Sequence, residues 1–142
     1  MARHVLNPDT VAPPCNPTYS MAAVAESGRL LFIAGQVATD RSGRTVGADI
    51  EAQTRQVFEN LRLILEAAGA TLDDVVNTDV FLVDVARDLE GYLRVRREHF
   101  PENPPPSTLV QVSALVDPDY LVEVKAVAEL PRQSGTATSG PR

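Results

Sequence analysis

Residues 104–128 have the sequence PPPSTLVQVSALVDPDYLVEVKAVA, in which two β-prone runs flank a turn signal. Three consecutive prolines, each with φ held near about −65°, lead into Ser107 and Thr108 at the start of the first run. In the second run the carboxylate of Glu123 interrupts an apolar alternation that is typical of a strand. The Pro-rich entry, two hydroxyls on the first run and one acid on the second form the one cluster in this sequence that suggests chemistry.

The strongest helical pattern lies upstream of this stretch, between Asp49 and Gly69. Apolar side chains recur at helical spacing from Ile50 to Ala68, and charged residues occupy the opposite face. Asp49 is a suitable N-cap and Gly69 a suitable residue after the last turn. The pattern predicts an amphipathic helix of about five turns.

The remaining elements are shorter. Residues 29–37 are apolar on both faces and predict a buried strand that forms a hairpin with residues 21–26, and residues 73–84 predict another strand. Residues 85–88 are expected to be loop. A weaker amphipathic helix follows from Leu89 to Phe100, where Pro101 stops it, and its arginines Arg94, Arg96 and Arg97 are expected to face solvent.

The predicted order is therefore β-β-α-β-α-β-β, an α+β sandwich with two helices on one face of a mixed sheet. We expect a single domain over residues 1–130, of which 1–18 form an extended arm, and a disordered tail over 131–142. The other sheet face is left bare and mixes polar with apolar side chains, so a second subunit is its simplest cover. Candidates for that face are Asn77, Asp79, Phe81, Gln111, Glu123 and Lys125.

Composition excludes several classes of function. The net charge is −6, and no basic stripe is present, which argues against nucleic-acid binding because that affinity depends on phosphate neutralisation. No apolar run reaches the roughly 18 residues of a membrane span, and the N-terminus lacks the apolar core of a signal peptide. The single cysteine, Cys15, suits a cytoplasmic protein, and the two histidines are too far apart for a zinc site.

Several segments together resemble the RidA/YjgF-like family, also known as L-PSP endoribonucleases. The residues that carry this resemblance lie at 31–36 (LFIAGQ), 53–61 (QTRQVFENL), 67–70 (AAGA), 74–76 (DVV), 79–84 (DVFLVD) and 122–128 (VEVKAVA), together with the Pro-rich segment before Ser107. The likeness extends over residues 18 to 130 in the order of the family.

The resemblance implies a chorismate-mutase-like fold assembled as a homotrimer, with small-molecule clefts between subunits. It also implies cofactor-free hydrolysis of reactive enamines or imines to a keto acid and ammonia. On the matching positions, Glu123 would orient the attacking water, Tyr19 would line the cleft, and Gly35 would lie where the strand approaches the ligand.

The chain departs from the family pattern at the carboxylate-binding position. Ser107 stands where these enzymes carry an arginine, and Leu109 stands where deaminating members often carry cysteine. A guanidinium grips a carboxylate through two charge-assisted hydrogen bonds, whereas a serine offers one neutral donor. Either the substrate lacks a carboxylate at this point or another cation replaces the arginine, and Arg87, in the loop expected at residues 85–88, is the first candidate.

The first hypothesis is therefore hydrolytic deamination, with Glu123, Ser107 and Thr108 as catalytic residues and with Tyr19, Gly35, Arg87 and Leu109 as substrate-binding residues. The missing arginine keeps two alternatives open. One is a non-hydrolytic ligand-binding or regulatory trimer that uses the same cleft. The other is proton-transfer or cyclisation chemistry on a metabolite without a carboxylate.

Overall fold

The computed structural model describes residues 3–133 and contains six strands and two α-helices in that range. The elements are β1 (His4–Leu6), β2 (Ala22–Val24), β3 (Leu30–Gln36), α1 (Ile50–Ala67), a 3-10 turn (Leu72–Asp74), β4 (Val75–Leu82), α2 (Val85–His99), β5 (Ser107–Gln111) and β6 (Val122–Glu129). The predicted α+β class is confirmed, with one more strand at the N-terminus than the sequence suggested. The predicted tail from 134 onward lies outside the described residues.

Four strands form a mixed sheet in the order β3-β6-β4-β5. β4 and β5 are parallel and are joined by α2, whereas the β3–β6 and β4–β6 pairs are antiparallel. Both helices pack on one face, where the core is built from apolar side chains of α1, β4 and β6 such as Phe58, Leu61, Val80 and Val124. The two β-prone runs that flank the turn at residues 117–119 are thus not neighbours in the sheet, because β4 lies between them.

The N-terminal segment differs from the prediction. β1 pairs antiparallel with β2, so residues 1–18 are not simply an extended arm, and the hairpin between 21–26 and 29–37 does not form. β3 pairs instead with β6, whose apolar alternation supplies a partner for its buried face. Arg3 fastens this end of the chain, because its guanidinium donates to the carbonyls of Leu72, Val75 and Asn103.

The helix ends follow from their caps. Asp49 accepts a hydrogen bond from the backbone N–H of Ala52 at 2.8 Å, and Gly69 adopts a left-handed φ of 76° just beyond α1, as predicted. The loop predicted at 85–88 is wrong, because Asp84 caps the backbone N–H of Arg87 at 3.0 Å and α2 begins at Val85. None of the helices in the described residues is long and apolar enough to cross a membrane.

The sheet face opposite the helices has no cover within the described chain. Side chains alternate along the strands, so Phe32, Asn77, Asp79, Phe81, Glu123 and Lys125 share this open face. Phe32 is 75% exposed there, and the ammonium of Lys125 lies 3.9 Å from the Asp79 carboxylate. Gln111 was predicted for this face but has the opposite parity, and its side-chain carbonyl accepts from the backbone N–H of Val85 at 2.9 Å.

Candidate active site

A cavity of about 260 Å³ lies between the N-terminal segment, α2 and β5. Three of the residues predicted for the site line it, namely Tyr19, Ser107 and Leu109. A larger depression of about 400 Å³ beside Arg62 and Glu66 contains none of the predicted residues. The smaller cavity is therefore the candidate active site on the helix-covered face of the sheet.

The wall contributed by the N-terminal segment is held in a defined turn. The backbone N–H of Cys15 donates to the Tyr19 hydroxyl at 3.1 Å, and that hydroxyl lies 3.7 Å from Cys15 Sγ. Asn16 Oδ1 accepts from the backbone N–H of Thr18 at 3.0 Å, an Asx-type turn in which the short amide side chain bonds two residues ahead. Tyr19 consequently presents its phenol to the cavity from a fixed position, and Cys15 lines the cavity beside it.

Ser107 is positioned by the parallel pairing of β4 and β5. It lies opposite Thr78, whose backbone N–H donates to the Pro106 carbonyl at 3.0 Å, so the Pro-rich segment is fastened to the sheet one residue before Ser107. Within residues 3–133 the Ser107 hydroxyl has no hydrogen-bond partner. This leaves the hydroxyl available to a ligand in the cavity that it lines, while Leu109, two residues further on, gives the same wall an apolar surface.

Arg96 on α2 also lines this cavity, so the prediction that it faces solvent is wrong. The side chain is only 1% exposed, and its Nε donates to the Thr18 carbonyl at 2.8 Å. Its position four residues after the buried Tyr92 was the available signal, because residues spaced by four share one face of a helix. Burial raises the pKa of Tyr92, so its hydroxyl is protonated as it accepts from Arg96 at 3.3 Å.

Glu123 lies on the other face of the sheet, directly above Gly35. A Cβ atom added to Gly35 would lie 2.0 Å from Glu123 Oε1, so the absence of a side chain at this position makes room for the carboxylate. The sequence predicted a bulge or a close approach at this glycine, and both are present, since the β3–β6 register shifts between Ile33 and Gln36. Thr108 is exposed on the same open face, opposite Asp79.

The predicted site residues therefore fall into two groups within one chain. Ser107 pairs with Thr78, which faces the core, whereas Glu123 pairs with Phe81, which faces the open side. Tyr19, Ser107 and Leu109 share the cavity, and Gly35, Thr108 and Glu123 share the open face. No single copy of the chain brings the serine and the glutamate to one ligand.

Arg87 lies outside the cavity, in the first turn of α2. Its guanidinium forms a two-pronged contact with the Asp88 carboxylate, with both N–O distances at 2.8 Å, and this contact raises the pKa of Arg87. Asp88 itself is buried, so the pair satisfies a carboxylate that would otherwise lack a counter-ion. Within this chain Arg87 does not supply the cation beside Ser107. In the described range no group of three His, Cys, Asp or Glu side chains is placed to hold a metal ion.

Comparison with known proteins identifies the family. The model of the family described as Endoribonuclease L-PSP matches residues 10–130. The chain belongs to this family. The RidA/YjgF-like resemblance deduced from the sequence is thereby confirmed, and the match covers both groups of site residues.

Individual relatives match this L-PSP family chain over nearly its whole length. It is 42% identical to a RutC family protein of Pyrococcus horikoshii over 127 residues, which cover 89% of this chain and 97% of the relative. It is 36% identical to the 3-aminoacrylate deaminase RutC of Acinetobacter baylyi, with 92% of this chain and 100% of the relative covered. The crystal structure of the Rid family protein YyfB from Yersinia pestis superposes with a TM-score of 0.83 at 38% identity, covering 92% and 100% of the two chains.

Proposed function

We propose that this protein hydrolyses a small, reactive enamine or imine to the corresponding carbonyl compound and ammonia, without a cofactor. The observation that carries the proposal is the carboxylate of Glu123 held over Gly35 on the open face, in a chain whose opposite face has a small cavity lined by Tyr19 and Ser107. Similarity to a relative named as a 3-aminoacrylate deaminase supports the same class of reaction.

The active unit in this proposal is a homotrimer in which the cavity of one copy meets the open face of the next. Two features support it. Glu123 and Ser107 project from opposite faces of one sheet, so a site that uses both requires two copies. The open face also exposes Phe32 beside Val127, an apolar surface that association would remove from water.

The proposed chemistry needs one group that handles protons and a cavity that holds the substrate. An enamine first tautomerises to its imine. Glu123 then accepts a proton from a water molecule as the water oxygen forms a bond to the imine carbon. Returning that proton to nitrogen gives a carbinolamine. Transfer of its hydroxyl proton to the amine then lets the carbon–nitrogen bond break, which releases ammonia and leaves a carbonyl group whose oxygen comes from water. Ser107 and Tyr19 would hold the polar end of the substrate through hydrogen bonds.

The test is ammonia release from 2-aminoacrylate and 3-aminoacrylate generated in the reaction vessel. We expect the protein to accelerate release over buffer, and Glu123→Gln to lower that acceleration by about 10²- to 10⁴-fold, the usual contribution of a positioned proton-transfer group. Glu90→Gln, which makes the same change at an exposed position on α2, serves as the matched control and should retain activity.

Two results would contradict the proposal. One is release no faster than in buffer, and the other is a Glu123→Gln variant that matches the unmodified protein. Binding of either aminoacrylate without turnover would favour the ligand-binding alternative. Light scattering on the same samples tests the trimer, since a monomer with full activity would exclude a site shared between copies.

A further inference from the structure

The candidate cavity contains a buried positive charge that is held only by neutral groups. Four of the five N–H donors of Arg96 are accepted by the carbonyls of Thr18 (2.8 Å) and Pro105 (3.3 Å), the Thr78 hydroxyl (3.1 Å) and the Tyr92 hydroxyl (3.3 Å). The guanidinium also stacks over the Phe100 ring, 4.9 Å from its centroid. These partners fix the orientation of Arg96 rigidly against the wall of the cavity.

No carboxylate neutralises this charge within residues 3–133. The ion pairs of the described chain involve His4, Lys125 and arginines other than Arg96, and the buried acid on the same helix, Asp88, is engaged by Arg87. Neutral hydrogen bonds and a ring face offset only part of the cost of removing a guanidinium from water, and a buried charge is ordinarily paired. The fifth N–H, on the Nη2 atom that also reaches the Pro105 carbonyl, has no acceptor among the described residues.

Arg96 and Ser107 line the same cavity, and the residues Thr78 and Pro105 connect them. Nη1 of Arg96 bonds to Thr78, the residue directly opposite Ser107 in the β4–β5 ladder. Nη2 bonds to Pro105, two residues before Ser107. A ligand beside the unpartnered Ser107 hydroxyl therefore lies near the one cation that lines the described cavity.

We propose that Arg96 is the anion-recognising residue of this site, in place of the arginine that the family pattern puts at position 107. The inference rests on the proposed function in one respect, because it takes the ligand of the cavity to be the substrate of that reaction. A carboxylate at the cavity wall supplies the missing counter-charge and accepts from both the free N–H and the Ser107 hydroxyl. The cavity, equivalent to roughly nine water molecules at about 30 Å³ each, restricts the rest of the ligand to a few carbon atoms.

The experiment compares an anion with its neutral isostere. Binding of 2-oxobutyrate and of 2-oxobutanamide, which differ in one charged atom group, is followed by NMR titration of the intact protein. We expect the carboxylate to bind at least about tenfold more tightly than the amide, which corresponds to about 1.4 kcal/mol. Arg96→Gln should reduce that ratio to near one, Arg96→Lys should retain part of it, and Arg97→Gln, an equal charge change at an exposed position, should leave it intact.

Equal affinity of the unmodified protein for the two compounds overturns the inference, and this measurement does not depend on whether an Arg96 variant folds. A preference that survives in folded Arg96→Gln also overturns it. The two proposals fail separately. A strong carboxylate preference without any ammonia release contradicts the deaminase reaction but supports Arg96 as the anion site. Turnover of the neutral enamine ethyl 3-aminocrotonate as efficient as that of 3-aminoacrylate, with no carboxylate preference, supports the reaction and removes the role of Arg96.

Discussion

The contact between Gly35 and Glu123 gives the sharpest test of the open-face carboxylate. In a Gly35→Ala variant the new Cβ would lie 2.0 Å from Glu123 Oε1, 2.8 Å from Cδ and 3.0 Å from Cγ. The carboxylate oxygen must retreat by about 1.4 Å to reach ordinary van der Waals separation. Gly35 does not have a positive φ, so alanine introduces no backbone strain and the perturbation acts through space alone.

The expected effect on stability is small, because the group that must move is the far end of a flexible, partly exposed side chain. Forcing Glu123 from its rotamer costs about 0.5–1.5 kcal/mol. Replacing glycine by alanine offsets about 0.4–1 kcal/mol of this by restricting the unfolded chain. The free energy of unfolding should therefore change by less than about 1 kcal/mol, whereas ammonia release should fall toward the level of Glu123→Gln, about 10²- to 10⁴-fold below the unmodified protein.

The assay is a double-mutant cycle of Gly35→Ala and Glu123→Ala, with urea unfolding and ammonia release measured on all four proteins. In the Glu123→Ala background the clash is absent, so adding Gly35→Ala should be neutral or stabilising and should lower activity no further. A Gly35→Ala protein with more than a tenth of normal activity would refute the reasoning. Equal destabilisation by Gly35→Ala in both backgrounds would show that the glycine serves the bulge rather than the carboxylate.

Three further predictions concern assembly, packing and pH. Phe32→Arg should convert the proposed trimer to monomers in analytical ultracentrifugation, because it places a charge on the open face, whereas Leu63→Arg, at the exposed surface of α1, should not. Gln53→Leu should lower the free energy of unfolding in urea by about 2–3 kcal/mol, because the buried amide bonds to three backbone groups of the flanking loops, and an effect below about 0.5 kcal/mol would be inconsistent with this. A hydrogen bond from the Ser27 backbone N–H lowers the pKa of Glu129. The ionised Glu129 therefore stabilises the folded protein fully above the ordinary pKa of 4.5, and this stabilisation is lost as the pH falls through the folded-state pKa. Urea midpoints should decline more steeply with acid in the unmodified protein than in Glu129→Gln.

Local patterns were sufficient to predict α1, most of α2 and most strands. Helix α1 is an example, with its apolar stripe, its Asp49 cap and the glycine after its last turn. Each of these signals acts on residues a few positions away in the sequence, so each could be predicted from the sequence. The same is true of β6, where buried and partly exposed residues alternate as expected over most of the strand. The assignment of Asn77, Asp79, Phe81, Glu123 and Lys125 to one face followed from this alternation.

Strand pairing could not be predicted in the same way. β1 and β2 are separated by 15 residues, and their pairing depends on tertiary contacts that a short Pro-rich segment does not reveal. The distribution of the site residues over two faces also depends on register, because Ser107 and Glu123 each pair with β4 at different positions. Alternation within one strand fixes its own faces but not which of them another strand shares.

The burial of Arg96 in the cavity wall could not be predicted from the sequence for a related reason. Its neighbours Arg94 and Arg97 are exposed, and three nearby arginines normally indicate solvent. The groups that receive its N–H donors belong to three other parts of the chain, including the Thr18 carbonyl 78 residues away. Burial of a charge is decided by such distant acceptors, which no local pattern contains.

The pairing of β1 with β2 makes residues 7–21 a closed loop whose two ends are anchored to each other. Arg96 secures it again near Thr18, and Cys15 and Tyr19 project from it into the cavity. The cavity therefore has two walls from separate parts of the sequence. The floor comes from α2 and β5 of the helix–sheet core, and the rim comes from the loop at residues 7–21. Evolution can replace, shorten or lengthen the rest of the rim at little cost to the core, so a change of substrate within one architecture requires only that its two anchored ends and the contact of Thr18 with Arg96 persist.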